Sequence, residues 1–150
     1  MTALLLALCL VMPALSAQAD SEASRSPAIP DTKTHYQLHP IGWILKRDGR
    51  TVIEIQPEYH SALLGVDQLD SLWVLYWFDR NDTPEQRAIL QVHPHGNPDN
   101  PLRGVFATRA PMQPNLIAMS RCRVLGVEGT VIEIDDIDAF ADTPVLDLKP

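Results

Sequence analysis

Arg109 stands at a point where a charged side chain could be held in one position for a ligand. It follows an apolar segment, residues 104–108, that the pattern predicts to be a buried strand, and it precedes a loop with Pro111 and Pro114. Each proline fixes its own φ and confines the residue before it to extended geometry, so we expect one loop shape. A guanidinium held in this way could bind a carboxylate through paired hydrogen bonds. On spacing alone, a surface ion pair is the simpler interpretation.

The acidic cluster Asp135-Asp136-Ile137-Asp138 is a second candidate site, because it directly follows a predicted strand. Its carboxylates could accept hydrogen bonds from ribose hydroxyls or balance a positive charge on a ligand. They could also bind a hard cation such as calcium, which prefers oxygen ligands. Composition alone favours a simpler interpretation, in which the loop is solvated.

Asp79 and Arg80 follow an aromatic strand that is predicted to end at Phe78. The pair could contact polar groups of a ligand, with Trp77 or Tyr76 presenting a ring face to a cation. An ordinary strand end, with a solvated ion pair and core aromatic rings, fits the same residues.

Two histidines, His93 and His95, could chelate zinc or copper. Neither a cysteine nor a clear third ligand accompanies them, so we predict no metal site. Cys122 lies in an apolar segment with no histidine near it in sequence, and we expect an inert core residue. The sequence does not indicate covalent catalysis.

Short strands with turn signals between them must position these residues. Asp48-Gly49 predicts a hairpin turn, and Asn81-Asp82-Thr83-Pro84-Glu85 predicts a helix start, with a capping side chain and a proline. The continuously apolar segment 71–78 suits a strand buried on both faces. Further strands are predicted over residues 36–46, 51–56, 88–93, 104–108, 116–125, 129–134 and 145–148, with a two-turn helix over 58–64. This pattern predicts an all-β barrel or sandwich.

One absence is informative for ligand binding. No predicted strand is followed by a Gly-x-Gly-x-x-Gly turn, so the common Rossmann way of binding an adenosyl cofactor is not available. Any such cofactor would have to bind on the surface of the barrel.

The segment from Gly104 to Ser120 reads Gly-Val-Phe-Ala-Thr-Arg-Ala-Pro-Met-Gln-Pro-Asn-Leu-Ile-Ala-Met-Ser. It resembles the signature of the TsaA-like family, which usually reads Gly-Val-Phe-Ala-Thr-Arg-Ser-Pro-x-Arg-Pro-Asn-Pro-Ile-Gly-Leu-Ser. Three further blocks agree in the family's order, namely Leu69-Asp-Ser-Leu-Trp-Val-Leu-Tyr-Trp-Phe78, Val92-His-Pro-His-Gly-Asn-Pro98 and Asp142-Thr-Pro-Val-Leu-Asp-Leu-Lys-Pro150. Together they cover most of residues 36–150, and on them the chain is identified as a member of this family.

The resemblance implies a small single-sheet β-barrel with one or two short helices. It also implies a homodimeric methyltransferase that uses S-adenosyl-L-methionine and acts on N6-threonylcarbamoyladenosine in tRNA. The methyl group would pass to a nitrogen by in-line displacement, aided by proximity and desolvation. The cofactor contacts that the resemblance implies are Asp79, Arg80, Arg109, Met119, Asp135, Asp136, Ile137 and Asp138. On the substrate side it implies His95, Gln113 and Asn115.

Several positions depart from the family pattern. The usual Arg-Pro-Asn-Pro-Ile-Gly is here Gln113-Pro-Asn-Leu-Ile-Ala118, and the usual Asp-Gly-Thr-Pro is Ala141-Asp-Thr-Pro144. Asp79 stands where histidine is more usual. These changes favour an alternative function, in which a non-catalytic exported barrel binds a small ligand or a protein.

Length and charge limit the possible partners. The chain has 150 residues, enough for one domain with a real core, and a formal net charge of −7. An acidic chain binds phosphate backbones poorly, because that affinity depends on counterion release by lysine and arginine. Contact with tRNA would need a local basic patch, for which the candidates are Arg103, Arg109, Arg121 and Arg123.

The N-terminus has the features of a secretory signal peptide. An apolar run from Leu4 to Val11 precedes Ala17-Gln18-Ala19, which predicts cleavage before Asp20. The run is too short to anchor the chain stably in a bilayer. We therefore expect a signal peptide over 1–19, a flexible leader over 20–34 and a TsaA-like barrel domain over 35–150. The mature protein would be exported or periplasmic, or cytoplasmic if the start codon is wrongly assigned.

Overall fold

The computed structural model describes residues 35–150, and the predicted signal peptide (1–19) and leader (20–34) lie outside the described residues. Eight strands occur in this part of the chain: β1 Gly42–Arg47, β2 Arg50–Ile55, β3 Ser71–Trp77, β4 Gln91–Val92, β5 Arg103–Gly104, β6 Ile117–Glu128, β7 Val131–Ile134 and β8 Thr143–Lys149. Six of them form a closed barrel in the order β1-β2-β7-β6-β3-β8, and β8 pairs with β1 to close it. Strands β4 and β5 form a separate two-stranded sheet. The predicted single-sheet β-barrel is confirmed.

Helical structure in the described residues is short. One α-helix, α1, spans Pro84–Arg87, and the hydroxyl of Thr83 accepts a hydrogen bond from the backbone N–H of Gln86 at its start, as the capping signal predicts. Five 3₁₀ segments cover Pro57–Leu63, Val66–Gln68, Asp79–Asn81, Pro94–Gly96 and Val105–Ala107. No helix within residues 35–150 is long and apolar enough to cross a membrane.

The barrel interior is filled by alternate residues of its strands, which is the period that burial of one face requires. Leu72, Val74 and Tyr76 of β3 are buried, whereas the residues between them are only partly covered. The prediction that this strand is buried on both faces was wrong, because the barrel covers one face only. Other side chains of the core include Ile44, Ile53, Ile55, Ile132, Ile134 and Val145.

Two local features let the barrel close. Asp48 and Gly49 both have positive φ, 54° and 75°, which is the backbone of a tight hairpin turn whose twist matches the flanking strands. Gly42 lies between β2 and β8, paired with Ile55 on one side and Val145 on the other. A Cβ at this position would overlap the carbonyl oxygen of Glu54, so only glycine allows the strands to approach here.

The segment 104–108 differs from its prediction. Instead of a buried strand, it contributes Gly104 to the two-residue β5 and then forms the 3₁₀ turn Val105–Ala107. Only Val105 is buried, and Phe106 is 84% exposed. The strand prediction failed because Val105 alone enters the core, while the backbone turns through a hydrogen bond from Thr108 N–H to the Val105 carbonyl.

Candidate functional site

A cavity of about 490 Å³ lies beside the end of β3 and the first residues of β6. Three connections complete its walls: the turn after β3, the segment between β5 and β6, and the loop between β7 and β8. Cavities of this size are typical of small-molecule sites in proteins.

Arg109 lies on the wall formed by the segment between β5 and β6. Its Nη1 donates a hydrogen bond of 3.2 Å to the carbonyl oxygen of Met119 in β6. A guanidinium has five N–H donors, so this contact orients the group and leaves donors for a ligand. The arrangement suits a planar, bidentate acceptor such as a carboxylate.

The turn before Arg109 is fixed by one carbonyl that accepts several hydrogen bonds. The carbonyl oxygen of Val105 accepts from Nε2 of Gln113 at 2.8 Å, from Oγ1 of Thr108 at 3.0 Å and from the Thr108 backbone N–H at 3.1 Å. Val105 itself is buried, and its N–H donates to the Leu90 carbonyl. Gln113 therefore lines the cavity with its amide already bonded to the protein.

Arg87 of α1 lies outside the cavity lining and connects the turn after β3 to the segment between β5 and β6, which each supply a wall of the cavity. Its Nε and Nη2 both lie 2.9 Å from Oδ1 of Asp82, in the turn after β3, and its Nη1 donates to the Pro114 carbonyl at 2.7 Å. The guanidinium also lies over the ring of Trp77, 5.3 Å from its centroid. The hydrogen bond from Arg87 lowers the pKa of Asp82 below its ordinary value. No sequence pattern indicates this role, because the partners of Arg87 lie in separate loops.

A polar group lies in the wall that β3 and β6 share. The hydroxyl of Tyr76 donates to the Asp138 carbonyl at 2.8 Å and lies 3.2 Å from Oγ of Ser120. Since the tyrosine proton is used on the carbonyl, Ser120 is the donor in the second contact. Burial raises the pKa of Tyr76 above its ordinary value, which keeps the phenol protonated.

The loop between β7 and β8 is tied to β1 and to the turn after β3. Nζ of Lys46 donates to the Ile137 carbonyl at 3.1 Å, and the Asp142 N–H donates to the Ile44 carbonyl at 2.7 Å. Across the cavity edge, the Arg80 guanidinium lies 3.9 Å from the centroid of the Phe140 ring. Asp142 has a φ of 66°, at the position where the family pattern has glycine.

The structure brings six of the predicted site residues together and leaves five elsewhere. Those on the cavity wall are Asp79, Arg80, Arg109, Gln113, Met119 and Asp138. Outside the lining are His95, Asn115, Asp135, Asp136 and Ile137.

The five residues outside the lining are buried in the core, bonded to another residue or exposed to solvent. Ile137 is 3% exposed and packs in the core. Asp135 accepts from the backbone N–H and Nε of Arg123, and backbone N–H groups, first that of Asp136, lower its pKa. His95 is exposed on the Pro94–Gly96 turn. Within the described residues, no group of three or more histidine, cysteine, aspartate or glutamate side chains could hold a metal ion.

Sequence reasoning missed several residues of the cavity wall, above all Phe106, Phe140 and Ser120. Phe106 was assigned to a buried strand and Ser120 to an ordinary strand position. Phe140 lies two residues after Asp138, and this closeness in sequence to the acidic cluster is the one feature that could have indicated its place in the cavity wall.

Comparison with known proteins gives the family. Residues 32–150 match the model of the tRNA-methyltransferase O N-terminal domain. A probable S-adenosyl-L-methionine-binding protein of Pyrococcus horikoshii is 46% identical over 114 residues, which cover 76% of this chain and 81% of that protein. The human tRNA (adenine(37)-N6)-methyltransferase is 37% identical over 94 residues, which cover 63% of this chain but only 20% of the human protein.

The fold agrees with a solved structure. A crystal structure of TrmO superimposes with a TM-score of 0.60 at 31% sequence identity, covering 78% of this chain and 57% of the TrmO chain. This chain thus spans little more than half of the TrmO chain. The match over residues 32–150, together with the close archaeal relative, shows that the chain belongs to the tRNA-methyltransferase O N-terminal domain family.

Proposed function

We propose that this protein binds S-adenosyl-L-methionine in the cavity and transfers its methyl group to a base nitrogen of tRNA. The proposal depends on the position of Arg109, whose guanidinium lies on the cavity wall and is oriented by a hydrogen bond to the Met119 carbonyl. Relatives named as S-adenosyl-L-methionine-binding proteins and as tRNA methyltransferases support it. By resemblance, the acceptor is N6-threonylcarbamoyladenosine.

The residues of the cavity fit the chemistry of this cofactor. The guanidinium of Arg109 suits the carboxylate of its methionine part, and the acidic residues Asp79 and Asp138 suit its ammonium and sulfonium charges. A guanidinium covers one face of each of the Trp77 and Phe140 rings, and adenine would stack on the opposite face of one of them.

When bound, the cofactor supplies an electrophilic methyl group for in-line attack by a nitrogen, with the neutral thioether S-adenosylhomocysteine leaving and the proton of the nitrogen passing to water. The chain contributes position and desolvation, because its cavity groups are fixed before the ligand arrives. Arg109 would hold one end of the cofactor, and the Tyr76 hydroxyl would keep the loop with Asp138 against β3 and β6. Protein contacts on several sides would exclude water from the reacting atoms.

Contact with tRNA is proposed through arginines near the cavity. Arg80 lies on its wall, and Arg103 lies in β5, next to the Val105–Ala107 turn, whereas Arg109 is assigned to the cofactor. Arg123 is bonded to Asp135 and Arg121 to Ser71, so these two are less available for phosphates. Because the net charge is −7, we expect this local group to determine RNA affinity and its salt dependence.

A homodimer is proposed from the outer face of β3 and β6. Trp73, Leu75 and Trp77 are only partly covered there, and they pair with Arg121, Met119 and Ile117. A second copy on this face would cover apolar surface and border the cavity. Sedimentation of the protein should give a dimer, and Leu75→Glu should give a monomer, whereas Leu125→Glu on the exposed end of β6 should not. A monomeric protein at all concentrations would exclude this proposal.

Export, with maturation before Asp20, is proposed only for the alternative function, a non-catalytic barrel, because neither tRNA nor S-adenosyl-L-methionine is expected outside the cytoplasm. Mass spectrometry of the protein purified from its own cells would find a mature N-terminus at Asp20. An intact Met1 or an in-frame upstream start would favour a cytoplasmic protein instead.

Calorimetry tests the cofactor proposal. The protein should bind S-adenosyl-L-methionine with micromolar affinity, about −8 kcal/mol. Arg109→Ala should weaken binding by at least about tenfold, since it removes a charged hydrogen-bond partner. Arg50→Ala is the matched control, because Arg50 pairs with Glu133 outside the cavity. If the protein gives neither heat nor a thermal shift at millimolar ligand, the proposal fails.

One observation favours the second candidate, a non-catalytic barrel that binds a small ligand or a protein. Gln113 stands where the family has arginine, and its amide is bonded to the Val105 carbonyl. The cavity therefore has one cation fewer than the family pattern provides. Absence of cofactor binding in the same calorimetric series would support this candidate.

A further inference from the structure

Phe106 lies at the edge of the cavity and is not used by the cofactor contacts described above. Single exposed apolar residues are common on protein surfaces and by themselves indicate no function. Two features distinguish Phe106: the rigidity of its turn and the chemistry of the groups around it.

The turn holds the backbone of Phe106 in a fixed position. The Val105 side chain is buried directly before it, and three hydrogen bonds from Thr108 and Gln113 meet on the Val105 carbonyl. Because the backbone is held at this point, only the two side-chain torsions of the phenylalanine remain to be fixed by a ligand. An aromatic side chain with only two torsions to fix loses little entropy on binding.

The surroundings of Phe106 combine aromatic rings with guanidinium groups. Arg109 lies three residues further along the same wall, and Arg80 lies against the ring of Phe140 in the same cavity. Aromatic side chains that stack on bases, together with arginines for the backbone, are how proteins bind unpaired nucleotides. A second protein would bury an apolar ring equally well, but Arg80 and Arg103, the nearby arginines not assigned to the cofactor, favour an anionic partner.

We propose that the Phe106 ring stacks on the acceptor base of the RNA, after that base has left the stack of its loop. This rests on the proposed function and adds a residue on the substrate side. Phe106 would hold the base at the open side of the cavity, so that its nitrogen faces the space lined by Arg109 and Asp138. An enzyme that modifies a base must reach it outside the stack, which makes such a surface necessary.

The test uses the whole chain and a short RNA hairpin with the fluorescent base aminopurine in its single-stranded loop. Wild-type protein should bind the hairpin and change the fluorescence of the base by stacking. Phe106→Leu keeps an apolar side chain without a flat ring and should weaken binding by roughly tenfold or more. Phe106→Tyr keeps an aromatic ring and should bind the hairpin and change the fluorescence as wild type does. Leu64→Ala, on an exposed leucine outside the cavity, is the control for loss of apolar surface.

Parallel measurements separate this inference from the proposed function. Cofactor affinity is measured for wild type, Phe106→Leu and Phe106→Tyr, and the loss of hairpin binding in Phe106→Leu should exceed any loss of cofactor affinity. If Phe106→Leu binds the hairpin as wild type does, the inference is overturned, whether or not the cofactor binds. It is also overturned if Phe106→Leu changes the sedimentation of the protein and not the fluorescence, since the ring would then belong to an interface between copies. If the cofactor does not bind to wild type, the proposed function fails, and the aminopurine signal still decides the role of Phe106.

Discussion

The barrel strands and the connections around the cavity are held in place by different interactions. In the strands, Ile44, Ile53 and Ile132 have no exposed surface, and the backbone pairs with neighbours on both sides. In the connections, single polar side chains bind carbonyl oxygens: Gln113 on Val105, Arg87 on Pro114 and Tyr76 on Asp138.

This difference separates stability from binding. Buried apolar area provides most of the free energy of folding, so strand substitutions should change stability strongly. A hydrogen bond to a loop contributes less to stability, but it sets where a cavity group lies. Substitutions in the connections should therefore change ligand affinity more than they change the free energy of unfolding.

Ile132→Ala should have the largest effect on stability and sharpen the comparison. The side chain is fully buried in β7, and its removal should lower the free energy of unfolding by about 2–5 kcal/mol. Urea denaturation measures the change. Val131→Ala, on the half-buried face of the same strand, should lower it by less. Equal losses in the two variants would show that the barrel interior does not dominate stability.

Alkaline pH should destabilise the barrel through Cys122. Burial, with added repulsion from Asp135 and Asp136, raises the pKa of this thiol from 9.0 to about 11. Between these values the unfolded chain loses a proton that the folded chain keeps. The free energy of unfolding should therefore fall as pH rises from 9 to about 11, by up to about 2 kcal/mol.

Cys122→Ala isolates the contribution of the thiol to this pH dependence. The variant should be less stable at neutral pH, because it loses buried volume, yet its stability should fall less steeply above pH 9. Denaturant titrations of both proteins across this range provide the measurement. Parallel slopes for the two proteins would contradict the assignment.

Arg87→Lys tests whether a connection sets ligand affinity. Lysine keeps the charge but cannot bond Asp82 and Pro114 at once, so the two walls should lose their fixed spacing. We expect cofactor affinity to fall by roughly tenfold, about 1.4 kcal/mol, with a smaller loss of stability. Calorimetry and thermal denaturation give the two numbers, with Arg50→Lys as the control. If Arg87→Lys lowers the free energy of unfolding by more than it weakens cofactor binding, the connections do not differ from the strands in the way described above.

Tyr76→Phe should have the smallest effect on stability. The ring stays in the core, and only the hydrogen bonds to the Asp138 carbonyl and to Ser120 are lost, at about 1 kcal/mol of unfolding free energy. Cofactor affinity should fall by roughly tenfold, about 1.4 kcal/mol, because Asp138 is no longer tied to β3. Calorimetry measures the change in affinity, and thermal denaturation measures the change in stability. Unchanged affinity would mean that Lys46 and Asp142 fix this loop without Tyr76.

Sequence patterns predicted the barrel well because they record burial. The hairpin at Asp48-Gly49, the cap at Thr83 and most strand positions follow from local rules of turn geometry and alternation. The strand predicted over 104–108 failed where the pattern is ambiguous, since a short apolar run does not show which of its residues enters the core. The strand predicted over 88–93 is limited to Gln91–Val92 in the structure, because within the described residues it pairs only with the two residues of β5.

The sequence by itself determined the family, the closed all-β architecture and six of the residues that line the cavity. The family follows from the order of motifs, the strands follow from which side chains must leave water, and the closed barrel and the six cavity residues are what the family resemblance implies. Only the tertiary structure decided that Arg87 joins two loops, that Ile137 is a core residue, and that Phe106 and Phe140 border one cavity. Contacts between connections that are distant in sequence depend on how the barrel closes, and no local pattern records that geometry.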